Sequence, residues 1–259
     1  MLSVILPEGV CFSHWTAMRL NDLWGPTSWD PDRREPLHVL RTSAAHPTRL
    51  PTVADHRART PPCVRLQNLT VPVVAPEHVF AQLANKLGPF QLVVLGDSVV
   101  RWRSGRTKAL LRGALQPGER GVRRARAALE EVREGSNSPE ETRARLILAD
   151  AGFPEPSLNA PIYDADGAFV AFLDLYWEEF KVGYEYNGQW HYASEEQIER
   201  DRRRIERIEA TGVQVFVSTK DDRNAMGPVI WGLRRAMGRR GEPAPSLELT
   251  SRRNLPARN

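Results

Sequence analysis

Residues 168–191 read AFVAFLDLYWEEFKVGYEYNGQWH. Apolar and β-branched or aromatic residues dominate both halves, and EEFK separates them, as expected for two antiparallel strands joined by a tight turn. A turn centred on Glu179 and Phe180 aligns Tyr176 with Gly183, Leu175 with Tyr184, and therefore Asp174 with Glu185. Side chains facing each other across such a pair lie about 5 Å apart, where two like charges repel unless a positive group separates them. A divalent cation suits that place. Leu173 and Leu175 put Asp174 inside a strand rather than at its end, and a carboxylate facing another inside a strand pair is uncommon without a ligand.

Working outward, APIYDAD and a turn at Asp166-Gly167 supply a third antiparallel strand before the hairpin. Upstream, Ser138, Pro139 and Glu141 form a capping box for a helix that Gly152 ends. Downstream, Ser194 and Gln197 cap a charged helix stopped by Gly212, VQVFVST is a buried strand, and residues 225–237 make a closing helix. Helix, three antiparallel strands, helix, strand, helix is an α/β domain, assigned to residues 137–237. The polar GSN at residues 135–137 marks its start. Residues 1–100 are expected to form a smaller mixed α+β region, with a helix after Ser13, strands at Leu37–Leu40 and Val71–Val74, and a helix from Pro76. Within it QLVVLGDSVVRW is an apolar run interrupted by Gly96 and Asp97. Residues 101–136 are expected to be a basic helical connector, and residues 238–259 a disordered tail.

Composition restricts the function classes. The 41% hydrophobic content and seven Trp support a buried core, and no run of about 18 apolar residues suggests a membrane span. The start, MLSVILPEG, lacks the features of a leader, and Cys11 and Cys63 stand far apart without metal-ligand spacing. Neither a disulfide framework nor a zinc site is indicated on that basis, and reducing cytoplasm is the expected location. The excess of 32 Arg over 4 Lys gives a net charge of +4 that carries little information alone. Its distribution carries more: residues 101–126 hold nine basic residues and one acidic, whereas residues 138–237 hold twelve and eighteen. An acidic domain beside a basic segment fits a metal-dependent enzyme with a polyanionic substrate, and equally a solvated basic helix face beside an ordinary domain.

Phosphodiester hydrolysis needs a cation to polarise the phosphate, an activated water and help for the leaving oxygen. Asp174 and Glu185 are the metal-ligand candidates. Glu141 is placed to join them, although a capping-box glutamate needs no catalytic role. Asn187, Gln189 and His191 follow Glu185 where the chain reverses at Gly188. Arg143, Arg202 and Arg204 on the helices, with Arg123 and Arg124 in the connector, are candidate DNA contacts, and helix-face pairs with Glu140, Glu199 and Asp201 account for several of them as well.

Taken in order, SPEETR at 138–143, AGFPEP, Asp174, EYNGQWH at 185–191, Asp201 with Arg204, and GVQV at 212–215 resemble a family related to Vsr-type mismatch endonucleases. That family lies within the PD-(D/E)xK restriction-endonuclease-like superfamily. The likeness covers about residues 138–222. It implies a restriction-endonuclease-like core, Mg²⁺ or Mn²⁺ held by Asp174 and Glu185, Glu141 as the helix glutamate of the site, and DNA as substrate. Asn187 stands where the superfamily carries its lysine. Lys181 is about 13 Å away along the strand, so His191 is the substitute proton donor or acceptor. GVCFSHWTAMRL and LGDSVVR resemble the region preceding such a domain in AbiEi-like antitoxin proteins. Two functions are therefore expected in competition: a Mg²⁺-dependent DNA endonuclease or nickase, and a nuclease-fold DNA-binding regulator or antitoxin-like protein without turnover, with a place in phage defence. A second copy of the chain or another protein is left open as a partner.

Overall fold

The computed structural model describes residues 9–26, 36–42, 46–47, 50–58, 62–67, 69–188, 194–220 and 226–239. Two compact units divide the chain, Met1–Glu134 and Gly135–Asn259. Both are mixed α/β, each built on a sheet that combines parallel and antiparallel pairs. The expected disordered tail, residues 238–259, lies almost wholly outside the described residues.

In the first unit β1 (Val10–Phe12), β2 (Leu37–Arg41), β3 (Val53–Arg57), β4 (Cys63–Val64) and β5 (Val73–Val74) form a sheet of order β3-β2-β1-β5-β4. Helices α1 (His14–Leu20), α2 (Pro76–Leu83), α3 (Pro89–Val99), α4 (Lys108–Gly113) and α5 (Val122–Glu131) complete it. The apolar run around Gly96 and Asp97 is thus the helix α3. Gly96 is required by packing, since a Cβ there would collide with Val132 Cγ2 and stand 3.2 Å from the Phe80 ring. Asp97 is fully buried and accepts the Arg133 backbone N–H at 2.8 Å. The expected connector is part of this unit: Leu111 of α4 and Ala125, Ala128 and Leu129 of α5 are buried, so their basic residues are the outer face of packed helices.

Cys11 and Cys63 depart from expectation. They are paired as a disulfide across 52 residues of sequence. The topology explains it, because β1 and β4 both pair with β5, which brings the two Cα atoms to 6.8 Å. Strand pairing at long range is invisible in cysteine spacing.

In the second unit β6 (Ser157–Tyr163), β7 (Phe169–Trp177), β8 (Val182–Asn187) and β9 (Gln214–Thr219) lie in the order β6-β7-β8-β9, the last pair parallel. The sheet carries α6 (Pro139–Asp150) and α8 (Gly227–Gly238) over one core and α7 (Glu195–Ala210) over another. Ala144, Leu148, Leu175, Trp177, Val182, Tyr184 and Leu233 fill the first core, and Ala171, Leu173, Ile208 and Val213 the second. Burial of such side chains on both faces stabilises the sheet by about 1.5–3 kcal/mol for each large residue. Three antiparallel strands followed by a helix and a parallel strand match the order read from the sequence. Among the described residues, no helix is long and apolar enough to cross a membrane.

Candidate functional site

The hairpin register is the expected one, with Leu175 opposite Tyr184, Tyr176 opposite Gly183 and Trp177 opposite Val182. A short 3-10 turn over Glu178–Phe180 and Lys181 in the left-handed region (φ 45°) reverse the chain. Lys181 is exposed at that turn, away from the carboxylates. The ladder stops one pair before Asp174 and Glu185. From there the strands part, and the Tyr186 backbone N–H donates to Asp174 Oδ2 at 2.8 Å. A side-chain oxygen thereby replaces the strand carbonyl that the amide would otherwise need. On its other side β7 is also interrupted, because Asn159 of β6 has φ 45° and pairing with β7 skips it. Asp174 stands where both ladders lapse.

Glu141 is brought to the same place by its helix. Ser138 Oγ accepts the Glu141 N–H at 3.1 Å, as a capping residue should. The carboxylate returns to the Asn137 N–H at 2.8 Å and also accepts Asn159 Nδ2 at 2.7 Å. Capping contact and site membership coexist in one side chain. Asn159, 9% exposed, holds the Gly135 carbonyl as well at 2.9 Å. Its role has no signal in the sequence, where it precedes an ordinary strand.

Glu185 is buried at 6% exposure, and both its oxygens are bound by Arg204 of α7, one at 2.7 Å from Nη1 and the other from Nη2. Arg204, expected as a DNA contact, is therefore the counter-charge of the buried glutamate. Burial, then the negative charges of Glu141 and Glu185, push the Asp174 carboxyl up to about 8, against which the Tyr186 N–H and Arg204 act only partly. Glu141 is raised too, by burial first, with Glu185 adding to it and its hydrogen bonds opposing. Three carboxylates with one guanidinium make a site short of positive charge. Hard oxygen donors of this kind could hold a divalent cation, although among the described residues the three carboxylates do not each bring an oxygen within 4.8 Å of the other two.

Asn187 donates Nδ2 to Asp201 Oδ2 at 3.3 Å, and Asp201 also accepts Gln197 Nε2 at 3.1 Å. The amide is thus engaged with α7. His191, with Gln189, lies outside the described residues.

Beside Glu185 runs an open groove lined by Phe169, Val170, Phe172, Arg200, Arg203, Arg204 and Arg207. Those four arginines occupy one face of α7 at helical spacing of three and four. Phe169, 49% exposed, adds an aromatic surface at the start of β7. Arg202 points elsewhere, held by Glu199 at 2.8 Å and by Glu206. Arg203 shares Glu199, and Arg207 donates to the Val170 carbonyl at 3.3 Å. Arg143 lies on α6 with Glu140, Tyr184 and Tyr186 around a small recess, off the groove. Arg123 and Arg124 belong to the first unit, where Arg124 binds the Leu87 carbonyl at 3.1 Å. The basic surface that adjoins the carboxylates is therefore the 200-203-204-207 face, legible in the sequence only once the salt-bridged Arg202 is set aside.

No family model and no solved structure matches the chain. Two curated proteins of Mycobacterium tuberculosis do, the uncharacterized protein MT2308 of strain CDC 1551 / Oshkosh and the uncharacterized protein Rv2248 of strain ATCC 25618 / H37Rv. Each is 29% identical over 150 residues, which is 57% of this chain and 55% of the relative. The chain spans about half the length of the curated relatives it matches.

Proposed function

We propose that the second unit is a divalent-cation-dependent nuclease domain acting on DNA, of the restriction-endonuclease-like kind. One observation carries the reading: the buried carboxylates Glu141, Asp174 and Glu185 are linked through Arg204 to a helix face bearing Arg200, Arg203 and Arg207. The arginines would hold successive phosphates and Phe169 would stack on a base. That binding brings a phosphodiester to the fork between β7 and β8. A Mg²⁺ held by Asp174 and Glu185 would supply Lewis-acid polarisation of the phosphate and would acidify an attacking water. The chain's own part is to hold that charge: Asp174 must release the proton that burial and its acidic neighbours impose on it, and Glu185 must exchange part of its bond to Arg204. The freed guanidinium is then available to the phosphate. Asn187 orients without charge, so a general base has to come from elsewhere, and His191 is our assignment.

A second reading has its own support. With both Glu185 oxygens on Arg204 and Asn187 tied to Asp201, the unit would bind DNA without turnover, as a regulator or antitoxin-like protein. Supercoiled plasmid incubated with Mg²⁺ or Mn²⁺ separates them. Metal-dependent nicking by the parent, lost in Asp174→Asn and Glu185→Gln, supports the nuclease. Salt-sensitive binding that persists in chelator, with no nicking on any DNA form, supports the regulator.

A further inference from the structure

The first unit holds a cluster unrelated to the carboxylates. His14, at the start of α1, His38 of β2 and His56 of β3 each offer a ring nitrogen, and the three nitrogens all lie within 4.8 Å of one another. Parallel pairing explains how. His38 is in register with Ala54, so His56, two residues on, projects from the same face of the sheet. His38 Nδ1 and His56 Nε2 are 2.9 Å apart, and the His14 ring stacks on His56 with centroids 3.8 Å apart.

The backbone around the cluster is pinned at several points. The His38 N–H donates to Thr16 Oγ1 at 2.8 Å, and its carbonyl accepts the Ser13 N–H at 2.9 Å. His14 is held in the left-handed region, φ 47°, by a bond from its N–H to Gln82 Oε1 at 3.0 Å. A bulky non-glycine residue is strained there, and such strain is retained where surrounding structure enforces it. His14 Nδ1 is 3.0 Å from the fully buried Ser13 Oγ. If Nδ1 donates to that hydroxyl, Nε2 keeps its lone pair, which is how a ligating histidine is usually oriented. The SHWTA motif thus supplies a ring (His14), a hydroxyl that orients it (Ser13) and a hydroxyl that fixes the second ring's strand (Thr16).

Three imidazoles in contact cannot all carry protons and charge, and a contact at 2.9 Å between two ring nitrogens needs one of them to be an acceptor. Tetrahedral coordination at about 2.05 Å per bond places ligand nitrogens about 3.3 Å apart, so an ion would replace the His38–His56 hydrogen bond and turn the stacked His14 ring toward itself. Asp55, the neighbouring carboxylate on β3, is engaged by Arg41 at 2.9 Å and does not complete the set. Imidazole nitrogen selects zinc and its transition-metal neighbours over Mg²⁺ or Ca²⁺.

We propose that His14, His38 and His56 form a three-histidine site for one zinc-class divalent ion, with its fourth position open to water or an anionic ligand. The ion ties the start of α1 to β2 and β3. It is separate from the carboxylate site in residues, in donor chemistry and in unit.

Tag-free full-length protein, stripped with chelator and titrated with Co²⁺ and then Zn²⁺, tests it. One Co²⁺ per chain with the visible absorption of a four-coordinate nitrogen site, displaced by Zn²⁺ and distinct from any Co²⁺ held by the carboxylates, is expected. His38→Gln and His56→Gln, each checked for parental circular dichroism, should weaken binding about 100-fold or more, whereas Asp174→Asn should leave it unchanged. In the parent itself, Zn²⁺ should block diethyl pyrocarbonate modification of His56, read by peptide mass spectrometry. Absence of saturable binding, binding unaltered in both folded histidine variants, or undiminished modification of His56 in Zn²⁺ would each overturn the site.

Discussion

Replacing Asp174 with Asn should make the second unit more stable at neutral and alkaline pH while removing its activity. Burial and the charges of Glu141 and Glu185 raise the Asp174 carboxyl from 3.8 to about 8. Between those values the folded chain holds a proton that the unfolded chain has released, so unfolding releases a proton and stability falls as pH rises. The slope for one proton is about 1.4 kcal/mol per pH unit. From about pH 5.5 to about pH 7.5 the parent should therefore lose about 2.7 kcal/mol that the variant does not. Above the folded value the loss levels off, with the carboxylate ionised in both states. Asn keeps an oxygen to accept the Tyr186 N–H, now bonded to Asp174 at 2.8 Å, and offers an N–H to the neighbouring acids, so no new unsatisfied group is created. The proton belongs to the cluster as a whole, which makes the difference in slope between parent and variant the quantity to compare. Urea unfolding followed by a second-unit tryptophan such as Trp177, at several pH values without divalent ions, measures it. Parallel pH profiles, or a variant less stable than the parent near pH 8, would show that Asp174 carries no raised proton affinity in the folded chain.

Other substitutions separate the parts. Arg204→Ala leaves Glu185, its side chain 8% exposed, without its counter-charge; since Arg204 is itself partly exposed, about 1–3 kcal/mol of destabilisation is expected near pH 7.5 by chemical unfolding, and Mn²⁺ should recover part of it. Asn159→Ala removes a donor from Glu141 Oε2 and from the Gly135 carbonyl; about 1–3 kcal/mol should be lost and metal-dependent nicking should fall. The triple variant Arg200→Ala, Arg203→Ala, Arg207→Ala should flatten the dependence of log DNA affinity on log salt by about 2–3, measured by fluorescence anisotropy. Arg202→Ala, which lies outside the groove lining that holds Arg200, Arg203 and Arg207, should leave that slope unchanged.

The parts of this protein that were legible in the sequence are those governed by local pattern. The pairing of Leu175 with Tyr184 follows from turn position alone, and the Ser138 and Ser194 caps from residue type and spacing. Contacts that depend on how a helix lies across a sheet were not legible. Arg204 has acidic residues within one helical turn, as Arg202 does, yet it reaches Glu185 because its face of α7 packs over β7. Asn159 looks like any strand residue, and only its left-handed backbone turns its amide toward Glu141. Cys11 with Cys63, and His14 with His38 and His56, are joined by strand order, which no spacing rule encodes. The Asp97 helix was ambiguous for a different reason: a short apolar run has no period to distinguish strand from helix, and the deciding partners, Val132 and Arg133, lie more than thirty residues on.

Whether Asp174 and Glu185 hold a divalent cation is decided by Mn²⁺ binding, measured by electron paramagnetic resonance near pH 8. The carboxylate site should take up one Mn²⁺ per chain, weakening about tenfold for each pH unit below the Asp174 value as the proton competes. That binding should vanish in Asp174→Asn and survive in His56→Gln. Failure to bind at millimolar Mn²⁺, or equal binding by the parent and Asp174→Asn, would contradict the account.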